Sequence, residues 1–277
     1  MTIDELLVFG KSHTSSDFAK ILLAELLNRN PLEILNYLDY KVDDDLSKKY
    51  KEEIIALENG KPLQYVLGNV NFYGIKYYIN ENVLIPRFET EELVENTINY
   101  INKYFSNPID LIDLGCGSGV IGLTLEKKIS PNSVDLIDIS SKALEVTKVN
   151  ANNLNSKANI IKNDFLDNIN KKYDLIISNP PYIQTDEEIE KIVKENEPAL
   201  ALYGGEQGLD CYKKILENMS KNLKEKALIA FEIGSNQAQD LIKLINIYLT
   251  NVKIIVKKDL SGRDRMLFIF KNIGINE

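Results

Sequence analysis

Short β-prone apolar runs alternate with helical stretches between residues 109 and 178, and few architectures accept that pattern. Residues 109–114 read as a strand and 120–128 as a helix; 133–139 and 141–154 repeat the pair. Residues 158–161 and 173–178 supply a third and fourth strand. Strands and helices at this spacing bury both sheet faces under helices, which predicts an α/β fold with a doubly wound, mostly parallel sheet. Downstream, a helix at 209–223, a strand at 227–233, a helix at 236–249 and strands at 252–256 and 266–270 bring the sheet to seven strands. No helix separates the last two, so the C-terminal edge is expected to be an antiparallel hairpin.

Upstream of the sheet the period changes. Residues 3–59 are helical in pattern, with Leu6, Leu7, Ile21, Leu22, Leu26 and Leu27 at helical spacing. Ser15 or Ser16 and one of Asp43, Asp44 and Asp45 are suited to cap helices. Asn30-Pro31 is expected to open a short helix, with Pro31 in its first turn. Pro62, Gly68, Gly74 and Pro86 then punctuate two β-prone runs, 70–73 and 75–79, a hairpin signal. A helix follows at 89–105, and a polar helical stretch is expected at 186–196. The domain reading is a helical N-terminal domain at 1–60, a β-hairpin linker at 61–85 and the sheet domain at 86–277.

Composition excludes several classes. Lys+Arg 33 against Asp+Glu 41 leaves a net charge of −8 over 277 residues, a poor balance for holding nucleic acid through its phosphates. Cys116 and Cys211 form no CxxC pair, and His13 is the sole histidine, so no metal site is expected. The same counts leave Ser-His-Asp or Cys-His catalysis dependent on one residue, which reads as an ordinary helix position. Asp4 and Glu5 make the first residues unlike a secretory signal, and no apolar run approaches about 18 residues. A cytoplasmic protein that does not touch a membrane is expected.

Four stretches carry chemistry. The apolar run Leu175-Ile176-Ile177 stops at Asn179-Pro180-Pro181-Tyr182; two prolines remove two backbone donors, so a central strand cannot continue through them. The strand tip thus presents an amide, carbonyls and a ring to a flat group with N–H donors of its own. Asp113 precedes the loop Gly115-Cys116-Gly117-Ser118-Gly119, with Val120 where a third dinucleotide-type glycine would stand. A carboxylate there suits a cationic ligand better than a pyrophosphate. Asp138 ends the second strand about 25 positions later, a spacing suited to accepting both hydroxyls of a ribose; Asp135 starts that strand and lies at the wrong edge. Asn163-Asp164-Phe165 follows the third strand, and an acid beside a ring suits an adenine. The ligand described is a nucleoside with a positive tail, S-adenosylmethionine.

On these residues the segment 110–182 resembles a class I methyltransferase, and Asn-Pro-Pro-Tyr resembles the motif of those acting on planar nitrogens. Matching stretches outside this core make the whole chain similar to the release factor glutamine methyltransferases, the HemK/PrmC family. They are Pro62-Leu63-Gln64-Tyr65-Val66-Leu67-Gly68, Phe72-Tyr73-Gly74, Leu84-Ile85-Pro86-Arg87-Phe88-Glu89-Thr90-Glu91, Glu197-Pro198-Ala199-Leu200-Ala201-Leu202 with Gly204-Gly205, Phe231-Glu232-Ile233-Gly234 and Asp259-Leu260-Ser261-Gly262-Arg263-Asp264-Arg265. Phe88 departs from the family, which usually has proline there.

The resemblance implies methyl transfer from S-adenosylmethionine, leaving S-adenosylhomocysteine, to the amide nitrogen (N5) of the GGQ-motif glutamine in peptide chain release factors. It implies Asn179, Pro180 and Tyr182 as catalytic, with Pro181 joining them in holding the substrate. Asp113, Gly115, Cys116, Gly117, Ser118, Gly119, Asp138, Asp164, Phe165 and Asn179 would hold the cofactor. The Asn179 side-chain oxygen and the Pro180 carbonyl would each accept an amide N–H, and Tyr182 would pack on the flat amide. Arg87 and Glu91 are expected in a junction over the cofactor pocket; Arg263 and Arg265 are either surface charges or support for the motif loop. Release factors are the expected partners, the helical domain their docking platform, and a monomer without direct nucleic-acid binding the expected state. The alternative is an N6-adenine methyltransferase acting on DNA or RNA, which shares Asn-Pro-Pro-Tyr but would need base flipping and a basic recognition surface.

Overall fold

The computed structural model of this protein describes residues 1–274, so the last three residues of the expected 86–277 domain lie outside it. The chain divides into two units, Met1–Val70 with Glu190–Asn196 and Asn71–Ile189 with Glu197–Glu277.

In the first unit, α1 (Ile3–His13) opens with a reciprocal capping box between Thr2 and Glu5. Ser15 caps α2 (Ser16–Leu26) through Phe18 N, and Asp43 caps α3 (Asp44–Glu58) through Leu46 N. Ile3, Leu6, Leu22, Leu23, Tyr50 and Ile54 fill the space between them. Asn30-Pro31 does not open a helix. The Asn30 side chain accepts the Leu32 N–H at 2.9 Å, a local turn that competes with helix, and only a 3₁₀ turn, Ile34–Tyr37, follows. The start of the expected linker instead forms α4 (Leu63–Leu67), stopped by Gly68 at φ 68°.

β1 (Asn69–Phe72) and β2 (Ile75–Tyr78) form the expected hairpin. Tyr73 and Gly74 both have positive φ, 50° and 75°, the turn whose twist matches paired strands.

The second unit continues with α5 (Phe88–Tyr104), β3 (Asp110–Leu114), α6 (Val120–Ile129), β4 (Ser133–Asp138), α7 (Ser141–Asn153), β5 (Asn159–Lys162) and β6 (Tyr173–Ser178). α8 (Lys191–Asn196) belongs to the first unit and is shorter than the polar stretch suggested. α9 (Asp210–Asn222), β7 (Leu223–Glu232), α10 (Ala238–Tyr248), β8 (Val252–Lys258) and β9 (Asp264–Lys271) follow. The seven strands are ordered β5-β4-β3-β6-β7-β9-β8. The first five are parallel neighbours; β9 runs antiparallel between β7 and β8.

Leu111, Ile112 and Leu114 of β3 and Leu175, Ile176 and Ile177 of β6 are fully buried, as strands covered on both faces require. Each such side chain stabilises the fold by about 1.5–3 kcal/mol. α9 lays Tyr212, Ile215, Leu216 and Met219 on the sheet at helical spacing. β7 starts earlier than its apolar run because α9 feeds straight into it and Leu223 pairs with Tyr173. No helix among the described residues is long and apolar enough to cross a membrane.

Candidate functional site

The chain winds outward from β3 through β4 to β5, then returns to place β6 on the other side of β3. Ligands bind outside the carboxyl ends of the strands at such a reversal. A cavity of about 540 Å³ opens there. Its walls include Gly115, Cys116, Gly117 and Ser118 after β3, Asp138 after β4, Asp164 and Phe165 after β5, and Asn179 and Pro181 after β6. Sequence-distant stretches thus converge on one edge because every βα unit points its strand ends the same way.

The glycine loop needs glycine. Gly119 caps α6 at φ 81°, and a Cβ there would stand 2.9 Å from Thr147 Cγ2. Thr147 donates to Gly117 O at 2.7 Å, and Asn150, also on α7, donates to Ser118 O at 2.9 Å. Asn150 further exchanges hydrogen bonds with the backbone of Tyr78, tying the end of β2 to the loop.

Asp138 is aimed by backbone donors, Gly117 N at 2.9 Å and Ser140 N at 2.8 Å. Burial raises its pKa, and the N–H donors oppose that. Two carboxylate oxygens offer about four lone-pair sites, so capacity for two hydroxyls remains. Phe165 holds φ 48°, a costly conformation for an aromatic residue, and its ring lies over Gly115. Asn163 fixes this turn by donating to the Phe165 and Asp167 carbonyls. Asp164 is ion-paired with Lys214, a wall residue that the sequence reading missed.

Asp113, Gly119, Pro180 and Tyr182 do not line the cavity. Asp113 was expected to face a cationic ligand. It is fully buried, its Oδ2 accepts from Gly122 N on α6 at 2.9 Å, and its Oδ1 has no partner. It anchors α6 under the loop, and burial, with Asp138 adding repulsion, pushes its pKa up to about 7. The folded protein therefore keeps a proton that the unfolded chain releases between about pH 4 and 7, and stability falls as pH rises through that window. Glu232, also raised to about 7 by burial, adds a second such proton. In urea unfolding followed across the window, Asp113→Asn is expected to flatten the slope by up to one proton, about 1.4 kcal/mol per pH unit. An unchanged slope would mean that Asp113 is ionised in the fold.

Tyr182 turns its hydroxyl away from the cavity: Oη donates to Glu232 Oε1 at 3.3 Å and accepts from Arg265 Nη1 at 3.3 Å. Arg265 is therefore support for the motif loop, whereas Arg263 is exposed. Arg87 Nη2 donates to the buried Glu197 at 2.5 Å, and Ile85 N donates to the same carboxylate at 3.1 Å. That pair joins the two stretches carrying Pro86 and Pro198 on the cavity wall. Phe88 is the first residue of α5, where proline is well tolerated, and its side chain is exposed. No cluster of His, Cys, Asp or Glu that could hold a metal occurs among the described residues.

Residues 96–206 match the family described as methyltransferase small domain, and residues 10–68 match the PrmC N-terminal domain. A solved methyltransferase from Pyrococcus furiosus, 17% identical, aligns at a TM-score of 0.54 over 72% of this chain and 90% of that one, a likeness of fold. The release factor glutamine methyltransferase of Bacillus cereus is 36% identical over 255 residues, 90% of each chain. That of Bacillus subtilis is 33% identical over 285 residues, covering 98% of this chain and 99% of its own. Identity of this order runs through both units, and with it come the glycine loop, Asp138 and Asn179 gathered on one edge of a class I sheet: the chain belongs to the release factor glutamine methyltransferase family.

Proposed function

We propose that this chain transfers the methyl group of S-adenosylmethionine to the side-chain amide nitrogen of a glutamine in peptide chain release factors. The observation that carries the reading is Asn179, a half-buried amide on the wall of the same cavity that holds the glycine loop and Asp138. The residues present fit the cofactor: Asp138 keeps lone pairs for ribose hydroxyls, Gly115 and Gly117 put bare backbone on the cavity wall, and Phe165 offers a flat apolar surface to adenine. When bound, S-adenosylmethionine supplies a methyl group on a positive sulfur that needs no further activation.

An amide nitrogen is a weak nucleophile because its lone pair is delocalised into the carbonyl. Asn179 Oδ1, on the cavity wall, accepts one N–H and orients the nitrogen, and the Pro180 carbonyl is the expected acceptor of the second although Pro180 does not line the cavity in this structure. The same acceptors stabilise the positive charge that grows on that nitrogen as its new bond forms, and the proton then lost passes to water. Pro181 closes the wall beside Asn179. Tyr182 and Arg265 hold the tip in place.

In this reading the N-terminal helical domain docks the release factor. Leu32, Leu35, Tyr37 and Tyr40 are exposed there, with Arg29 stacked over the Tyr37 ring, a surface suited to a protein partner. The chain acts as a cytoplasmic monomer without a metal, and its net charge of −8 argues against direct binding of nucleic acid. The test is incubation with methyl-labelled cofactor and, in separate reactions, purified release factor, DNA and RNA. Label confined to one glutamine on peptide mapping is the expected result; label in adenine and none in the release factor would overturn the reading.

A further inference from the structure

A line of hydrogen bonds runs from the interior to the Asn179 amide. Arg265, on β9, contacts Asp259, the Ile233 carbonyl and the Tyr182 hydroxyl. Tyr182 donates to Glu232 Oε1 at 3.3 Å. Thr90, on α5, donates to Glu232 Oε2 at 2.7 Å. Asn179 Nδ2 donates to Thr90 Oγ1 at 3.3 Å. Glu232 is 1% exposed, so water does not substitute for its partners; Thr90, 3% exposed, sits between it and the cavity, whose wall it shares with Asn179. Two sequence stretches outside the methyltransferase core, 84–91 and 231–234, thus meet directly behind the strand tip.

The direction of each bond follows from proton count. An ionised carboxylate only accepts, so both hydroxyls that reach Glu232 must donate to it. Thr90 has one hydroxyl proton, which is engaged with Glu232, so towards Asn179 it can only accept. Asn179 must then present its NH₂ to Thr90, which leaves Oδ1 on the other side of the amide. The two ends of an asparagine amide are nearly the same size, so packing alone does not choose between its flipped states.

We propose that Glu232 and Thr90 are positioning residues that fix the flip state of Asn179, so that an acceptor oxygen and not a donor NH₂ faces the substrate amide. The inference rests on the methyl-transfer reading of the site. Were the amide reversed, two NH₂ groups would face each other and the substrate nitrogen would lose the acceptor that orients it. Burial and the nearby Glu89 oppose charge on Glu232, whereas Thr90, Tyr182 and Arg265 favour it, and Tyr212 donates to the Glu232 carbonyl at its back. The geometry holds Asn179 firmly while Glu232 is ionised; protonation of Glu232 lets Thr90 turn its own proton towards Asn179.

Thr90→Val, Thr90→Ser and Glu232→Gln test the proposal through methyl transfer to release factor, S-adenosylhomocysteine affinity by calorimetry, and the ¹⁵N–¹H signals of the Asn179 NH₂ group. Those signals are identified by their loss in Asn179→Asp. Thr90→Val is expected to lower kcat about 10- to 100-fold, with KM and S-adenosylhomocysteine affinity changed less than about threefold. It should also shift the Asn179 NH₂ signals. Thr90→Ser keeps the hydroxyl and should restore kcat to within about threefold of wild type. Glu232→Gln offers one oxygen and one NH₂ where the carboxylate had two acceptors, so Thr90 and Tyr182 can no longer both donate to it, and kcat should fall by less than in Thr90→Val. In the wild type kcat should rise with pH through about 7, and Glu232→Gln should abolish that rise.

Wild-type kcat in Thr90→Val overturns the proposal, as does a loss that Thr90→Ser fails to restore or one that lies in cofactor affinity. Should Thr90→Val fail to fold, Thr90→Ala, which also removes the hydroxyl, decides, and wild-type kcat there overturns it. If the wild-type enzyme itself methylates no release factor, the functional reading fails first. The NH₂ signals still report whether Thr90 holds Asn179.

Discussion

Asn179→Ala is expected to lower kcat for release-factor methylation by about 10²–10³-fold while leaving S-adenosylhomocysteine affinity within about threefold of wild type. The size comes from what is removed. Oδ1 is a fixed acceptor at a half-buried site, and truncation leaves the substrate N–H either unpaired or paired with mobile water. Losing one preorganised partner for developing charge in such sites typically costs that much in rate. Folding should survive, because β6 is held by pairing with β3 and β7 and by the buried run Leu175, Ile176 and Ile177. Thr90 loses a weak donor at 3.3 Å but keeps its bond to Glu232. Single-turnover transfer beside calorimetry separates the two effects. Near-wild-type turnover would remove Asn179 from the chemistry.

Asp138→Ala should act on the opposite quantity. Cofactor affinity is expected to fall about 10- to 100-fold, since hydrogen bonds to a charged group are worth about 1.5–3 kcal/mol and 1.4 kcal/mol is tenfold. Part of the loss is local, because Gly117 N and Ser140 N lose their common acceptor and the glycine loop loosens. Asp138→Asn should be milder, since its one remaining oxygen still accepts from one of the two. At saturating cofactor, kcat should stay within a few-fold of wild type, which sets this variant apart from Asn179→Ala. Unchanged affinity on calorimetry would exclude Asp138 from the site.

What could be read before folding was whatever local spacing encodes. Apolar runs interrupted by Gly115, Gly117 and Gly119, or by Pro180 and Pro181, declare a strand end wherever they occur, and parallel topology carries those ends to one edge. The sheet class and most of the cavity wall follow from that alone. Burial depth does not. Asp113 and Asp138 are both acids near strand ends, yet only the seating of α6, which brings the Gly122 N–H onto Asp113, decides that one is sealed and the other faces the cavity. Nor can spacing pair Thr90 with Glu232 or Arg265 with Tyr182, because those partners meet only once α5 and β9 are packed. Asn30-Pro31 misled for a smaller reason: the asparagine side chain satisfied the backbone that a helix would have used.

The placement of β9 between β7 and β8 bears on how the protein is made. Synthesis delivers β8 before β9, yet β8 pairs only with β9 in the finished sheet. A nascent chain that has reached residue 258 holds a complete glycine loop, Asp138 and Asn179, but β8 has no partner and Arg265 does not yet exist. Non-local pairing of this kind must await its last strand. The enzyme proposed to act on the machinery that ends translation therefore cannot fasten its own acceptor tip until β9 has left the ribosome and paired between β7 and β8.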